Sequence, residues 1–124
     1  MTQYRLPIKT VILNNRYMGM VRQWQQLLHG SRYSESYSES LPDFVKLSEA
    51  FGFTGMTCNN PADLDDAIKK MLEIDGPVIL DVAVDDKENC YPMIPSGKPH
   101  NEMLLGQETN GDEAIDSDEG MVLV

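Results

Sequence analysis

Long apolar runs are missing from this chain. No stretch of its 124 residues approaches the length of a membrane span, so the sequence predicts a soluble protein with no membrane partner. Cysteine is scarce. Cys58 and Cys90 are the only two, and their separation matches no zinc or redox spacing. That suits free thiols in a reducing, cytoplasmic setting. Basic residues stop at Lys98. Residues 1–100 hold all 10 Lys and Arg together with 13 acids, whereas 101–124 hold no base and 7 acids, from Glu102 to Glu119. The net charge of −10 is therefore mostly a tail, and no basic patch offsets it, which argues against a nucleic-acid partner. No secretory leader is expected either. Arg5 and Lys9 precede a short apolar run, but Asn14 and Asn15 interrupt it and no small-residue cleavage site follows. A chain of this length can bury one modest core.

What is present reads as alternating strands and helices. Ile8 to Leu13 is short, β-rich and almost continuously apolar, the pattern of a strand buried on both faces, with Pro7 at its start. Asn14-Asn15 ends it as a turn. Met20, Val21, Trp24, Leu27 and Leu28 then recur at helical spacing up to Gly30, and periodicity alone reads them as a core stripe. The tandem Tyr33-Ser34-Glu35-Ser36 and Tyr37-Ser38-Glu39-Ser40 is too short for a solenoid and reads as a polar surface loop. A second helix opens at Leu41-Pro42-Asp43 with Pro42 in its first turn, an inner stripe of Phe44, Leu47, Ser48 and Phe51, and a stop at Gly52. Phe53 to Cys58 is a weak strand. Asn60 caps a third helix with Pro61 at its first position; Leu64, Ala67, Ile68, Met71 and Leu72 form its inner face, and Gly76-Pro77 ends it. Val78 to Val84 is a second buried-type strand, in which Asp81 is expected to meet a polar neighbour at the sheet edge.

Strands joined through helices imply right-handed crossovers and a parallel sheet. The expected fold is α/β: a partial doubly wound parallel sheet with flanking helices, the second half of a larger domain. Residues 1–105 form that part, and residues 106–124 have the high charge and low hydrophobicity of a disordered tail. Within the tail, Asp116 to Gly120 does not meet the spacing of a calcium loop. His29 and His100 have no ligand spacing, and Arg22 and Arg32 read as solvated arginines.

In an open parallel sheet, ligands bind beyond the carboxyl ends of the strands. Asn14 and Asn15 stand at such an end, and an Asn carbonyl oxygen suits a hard cation that also takes phosphate oxygens. Taken alone, Asn-Asn there is more often a plain turn. The longer run from Val11 to Gln25, containing Asn14-Asn15, Gly19-Met20-Val21 and Gln23-Trp24, resembles the C-terminal half of the thiamine-diphosphate motif. With Arg32-Tyr33-Ser34 and the run from Tyr91 to Gly97, the resemblance narrows to the catalytic large subunit of the acetolactate synthase (acetohydroxyacid synthase) family, over about residues 4 to 105.

That resemblance implies roles residue by residue. Asn15 ligates magnesium through its side chain and Tyr17 through its main-chain carbonyl. Asn14 shapes the turn and helps the diphosphate site. Gly19 and Met20 lie next to the cofactor. Met20, Val21 and Trp24 line the substrate channel, and Ser96 and Gly97 belong to the segment that closes over it. The family joins two 2-keto acids, pyruvate with pyruvate or 2-ketobutyrate, with loss of carbon dioxide, toward branched-chain amino acids. The implied cofactors are thiamine diphosphate and Mg2+, with FAD in the complete enzyme. The implied partners are further catalytic subunits and a regulatory subunit. No catalytic proton-transfer residue is assigned.

The family's Gly-Asp-Gly, whose aspartate is the first metal ligand, is not among the 13 residues before Asn14. The activating glutamate's domain and the FAD domain have no counterpart either. The expectation is a C-terminal piece of such an enzyme, inactive by itself and prone to self-association through an uncovered edge at Ile8–Leu13. A non-catalytic remnant or interaction partner stays open as an alternative, as does a piece of another thiamine-dependent 2-keto acid decarboxylase or oxidase.

Overall fold

The computed structural model describes residues 1–106; the acidic segment read as a tail lies, from residue 107, outside the described residues. The elements are β1 (Lys9–Asn14), α1 (Gly19–Leu27), α2 (Phe44–Ala50), β2 (Thr54–Cys58), α3 (Leu64–Glu73) and β3 (Val78–Ala83), with short 3-10 turns at Thr2–Tyr4, Pro61–Asp63 and His100–Glu102. Their order is the expected one, and the fold is α/β with a three-stranded parallel sheet. The described residues divide into two compact units: Met1–Asn15 with Ser40–Asp85, and Arg16–Glu39 with residues 86–106.

The first unit is the sheet. Its strand order is β1-β3-β2, so the last strand enters the middle. Val78 and Leu80 are fully buried and Val82 nearly so. They pack with Cys58 and with Met71 of α3, and Met56, Leu64, Ala67 and Ile74 complete this core. Alternation along β2 turns Gly55 to the opposite face, where α2 lies. A Cβ on Gly55 would come within 2.7 Å of the Val45 Cα, so only glycine allows the helix backbone this close. One helix per face is the doubly wound arrangement in miniature.

The helix ends follow the local chemistry. Asp43, rather than Pro42, sets the start of α2: its Oδ1 accepts from the Val45 and Lys46 amides at 3.1 Å each. The Lys46 amide bond, followed by the Lys46 side chain, holds the Asp43 carboxyl below its ordinary pKa. Asn60 caps the turn leading into α3 by accepting from the Ala62 amide. Lys9 donates to the carbonyls of Ile74 and Gly76, covering acceptors that the end of α3 leaves over.

Several sequence expectations need correction here. β1 is an edge strand, not one buried on both faces. Val11 and Leu13, 44% and 70% exposed, share the face of Leu80 and Val82 by register, but the packed core stops at β3. Asp81 lies in the central strand rather than at the sheet edge, flanked by Ile12 and Thr57. In α2 the buried position is Ser48, whose hydroxyl donates back to the Phe44 carbonyl at 2.6 Å, while Leu47 and Phe51 are exposed. In α3, Met71 is buried, but Ile68 and Leu72 face outward. Apolar spacing finds the helix but not how much of its stripe a three-stranded sheet can cover.

Candidate functional site

In the sheet unit, β1 delivers Asn14 and Asn15 to the carboxyl end of the strands. Asn14 is the last residue of β1 and stands opposite Ala83. Its carbonyl accepts from the Val84 amide at 3.2 Å. Its Nδ2 donates to Asp81 Oδ2 at 3.4 Å, while Asp81 Oδ1 is buried and has no partner. Asn14 is thus tied through its side chain to β3 and through its backbone to the residue that follows it. Asn15 follows at once and is half-buried.

The second unit begins at Arg16, whose φ of 58° is left-handed. That conformation costs a non-glycine residue roughly 1 kcal/mol, and such strain collects at functional turns. The chain then pairs with the tyrosine–serine repeat. Met18 donates to the Ser36 carbonyl at 2.8 Å and Ser38 to the Arg16 carbonyl at 2.7 Å, with Tyr17 opposite Tyr37. In this antiparallel pairing the flanking residues make the bonds, so the Tyr17 carbonyl is directed away from residues 36–38. The Tyr17 and Tyr37 rings lie 5.0 Å apart, and the Arg16 guanidinium sits over the Tyr37 ring at 5.2 Å. The repeat is therefore not a plain surface loop, since Ser36 is fully buried and its neighbours fix the turn before α1.

In α1 the burial runs against the apolar pattern. Met20, Val21 and Trp24 are exposed, Trp24 by 46%, whereas Arg22 and Gln23 are 8% and 1% exposed; of the apolar stripe, Leu28 alone is fully buried. Arg22, read from sequence as a solvated arginine, is sandwiched between the Tyr17 and Tyr33 rings, 5.3 Å from each. Its Nη1 donates to Gln26 Oε1 and to the Lys87 carbonyl, at 3.1 Å each. Gln23 takes both backbone groups of Cys90: its Nε2 donates to the Cys90 carbonyl at 3.1 Å, and its Oε1 accepts from the Cys90 amide at 2.7 Å. The same Nε2 lies 2.9 Å from Met93 Sδ. Sequence reasoning missed Arg22, Gln23 and Ser36 as organising residues. The one outward signal, for Arg22 and Gln23, was two polar residues in the middle of an apolar stripe.

Ser96 and Gly97 lie in an exposed loop of the same unit. Gly97 has a φ of 75°, and Lys98 closes a turn by donating to the Pro95 carbonyl at 3.0 Å. Among the described residues, no three His, Cys, Asp or Glu side chains gather as metal ligands. Neutral oxygens, such as that of the Asn15 side-chain amide, are the kind of hard ligand that magnesium accepts when phosphate oxygens complete its shell. Cys58 and Cys90 are free thiols, and among the described residues no helix is long and apolar enough to cross a membrane.

Residues 1–82 match the family described as thiamine pyrophosphate enzyme, C-terminal TPP binding domain. Over 103 residues the chain is 50% identical to the acetolactate synthase large subunit of Porphyra purpurea, covering 82% of this chain and 18% of that protein. It is 44% identical over 108 residues to the acetolactate synthase isozyme 3 large subunit of Escherichia coli, covering 85% and 19%. It is 40% identical over 103 residues to a mitochondrial acetolactate synthase of Schizosaccharomyces pombe, covering 83% and 15%. The chain thus spans under a fifth of the length of each of these relatives.

Proposed function

The chain belongs to the thiamine pyrophosphate enzymes, as a C-terminal TPP-binding domain homologous to that of acetolactate synthase large subunits, and from this premise we propose that it anchors the Mg2+–diphosphate end of the cofactor in the condensation of two 2-keto acids. The observation that supports this best is the placement of Asn14-Asn15 at the carboxyl end of a parallel strand, followed at once by the left-handed turn at Arg16. In this reading Asn15 would hold the cation through its side-chain oxygen and Tyr17 through its main-chain carbonyl. Asn14, tied to Asp81 and Val84, keeps the turn in shape. Gly19 opens α1 without a side chain and leaves room for the cofactor beside Met20.

When bound, thiamine diphosphate supplies the carbon nucleophile that pyruvate's carbonyl requires. The residues of this chain bind and exclude water. Met20, Val21 and Trp24, which are exposed, would form an apolar wall for the keto acid, and the exposed loop that carries Ser96 and Gly97 would close over it. No proton-transfer role falls to any of them. FAD has no assigned residue here and belongs to the whole enzyme. The partners in this reading are further large subunits and a regulatory subunit, the relatives' large-subunit names implying a small one, in a reducing compartment such as the cytoplasm.

The test is a chimaera in which residues 1–106 replace the corresponding C-terminal portion of the Escherichia coli large subunit. It is expected to form acetolactate from pyruvate with thiamine diphosphate, Mg2+ and FAD. A folded chimaera that binds FAD but forms no acetolactate would overturn the reading.

A further inference from the structure

Gln23 spends a fully buried side chain on another segment's backbone. Burying an amide is costly unless its donors and acceptor are met. Here they are met by Cys90 on both backbone groups and by the Met93 sulfur. Met93 is also one side of a closed neck. Its amide donates to the Leu104 carbonyl at 2.9 Å, and the Leu104 amide returns the bond at 2.7 Å. Residues 94–103 form the loop that this neck closes, and Ser96 and Gly97 lie within it. Arg22 adds a second tie one residue away, through the Lys87 carbonyl and, at 3.5 Å, Asn89 Oδ1.

We propose that Gln23 is a positioning residue: it latches the neck of the 94–103 loop to α1 and so sets where Ser96 and Gly97 stand when a keto acid is bound. Arg22 reinforces the latch from the preceding segment. Gln23 touches no reacting group; it acts through Cys90 and Met93. The amide is suited to this, since it donates and accepts at once and matches a peptide edge regardless of the side chain at position 90. The functional half of the proposal rests on the reading given above, whereas the latch itself does not.

Two measurements test it. The first is amide exchange on the 124-residue chain. Gln23→Leu keeps the volume and removes every hydrogen bond, so protection at Cys90 is expected to fall about tenfold, the net worth of about one hydrogen bond. Protection at Leu104 follows it, while the β3 amides keep theirs. Gln23→Glu keeps an acceptor for the Cys90 amide at any pH and regains a donor to the Cys90 carbonyl only when protonated, so its Cys90 protection is expected to exceed that of Gln23→Leu and to approach wild type at acid pH. Cys90 protection unchanged in Gln23→Leu, or lost equally across β3, would overturn the latch.

The second is steady-state kinetics in the chimaera. Gln23→Leu is expected to raise KM for pyruvate about tenfold, with kcat and the Mg2+ requirement within about twofold. A fall in kcat at unchanged KM would overturn the positioning role. A wild-type chimaera without turnover would overturn the proposed function instead, and the exchange experiment would still decide the latch.

Discussion

Asp81 and Asn14 meet across neighbouring strands, the Asn14 amide donating to one carboxylate oxygen at 3.4 Å while the other oxygen lies buried without a partner. A carboxylate can only accept, so the contact fixes which end of the Asn14 amide faces β3. Asp81→Ala removes this acceptor and is expected to lower stability by about 1 kcal/mol in urea unfolding. Asp81→Asn keeps an acceptor for the Asn14 amide. It is expected to unfold near the wild-type urea concentration; a larger loss than in Asp81→Ala would contradict this role.

Trp24 is half exposed although it sits in the apolar stripe of α1. Trp24→Leu is therefore expected to leave the thermal midpoint within a few degrees, an effect of under about 1 kcal/mol. In the chimaera it is expected to change the ratio of products from pyruvate and 2-ketobutyrate, since a methylene-scale change in an apolar pocket is worth about 1–3 kcal/mol. Loss of folding, with aggregation at room temperature, would return Trp24 to a core role.

The open edge of β1 carries Val11 and Leu13 with apolar side chains facing outward. Exposed apolar edges pair with other chains. Sedimentation velocity on the 124-residue chain is expected to show concentration-dependent association, and Leu13→Lys is expected to reduce it. A monomer at all concentrations with a sharp two-state melt would show that this edge needs no cover.

The 124 residues alone are expected to form no acetolactate from pyruvate at saturating thiamine diphosphate and Mg2+, because they contain no Gly-Asp-Gly. A colorimetric acetoin assay on the purified chain measures this directly, and turnover above the buffer blank would contradict it.

Much of the fold was legible because its signals are local. Asn60-Pro61 and the Gly76-Pro77 stop bracket α3 through capping and backbone chemistry that needs no partner. Asn14-Asn15 marks the end of β1 for the same reason. Burial was less legible, because it depends on what lies across the sheet. Val11 and Leu13 have the composition of a covered strand but sit at an edge, and Asp81 was read at an edge but stands in the centre. In α1 the spacing favours Met20, Val21 and Trp24 as core. The structure instead buries Arg22 and Gln23, whose partners at positions 87–93 lie more than 60 residues away, and no local pattern announces such a contact.

The central claim is that residues 14 to 19 anchor the metal–diphosphate group, and the Mg2+ requirement of the chimaera tests it most directly. On the proposed reading Asn15→Ala removes one of few protein ligands, and it is expected to raise the Mg2+ concentration for half-maximal activity by about tenfold or more. Tyr17→Phe keeps both the main-chain carbonyl and the ring packed against Tyr37 and Arg22, and is expected to stay within about twofold. An unchanged requirement in Asn15→Ala, or an equal rise in Tyr17→Phe, would contradict the account.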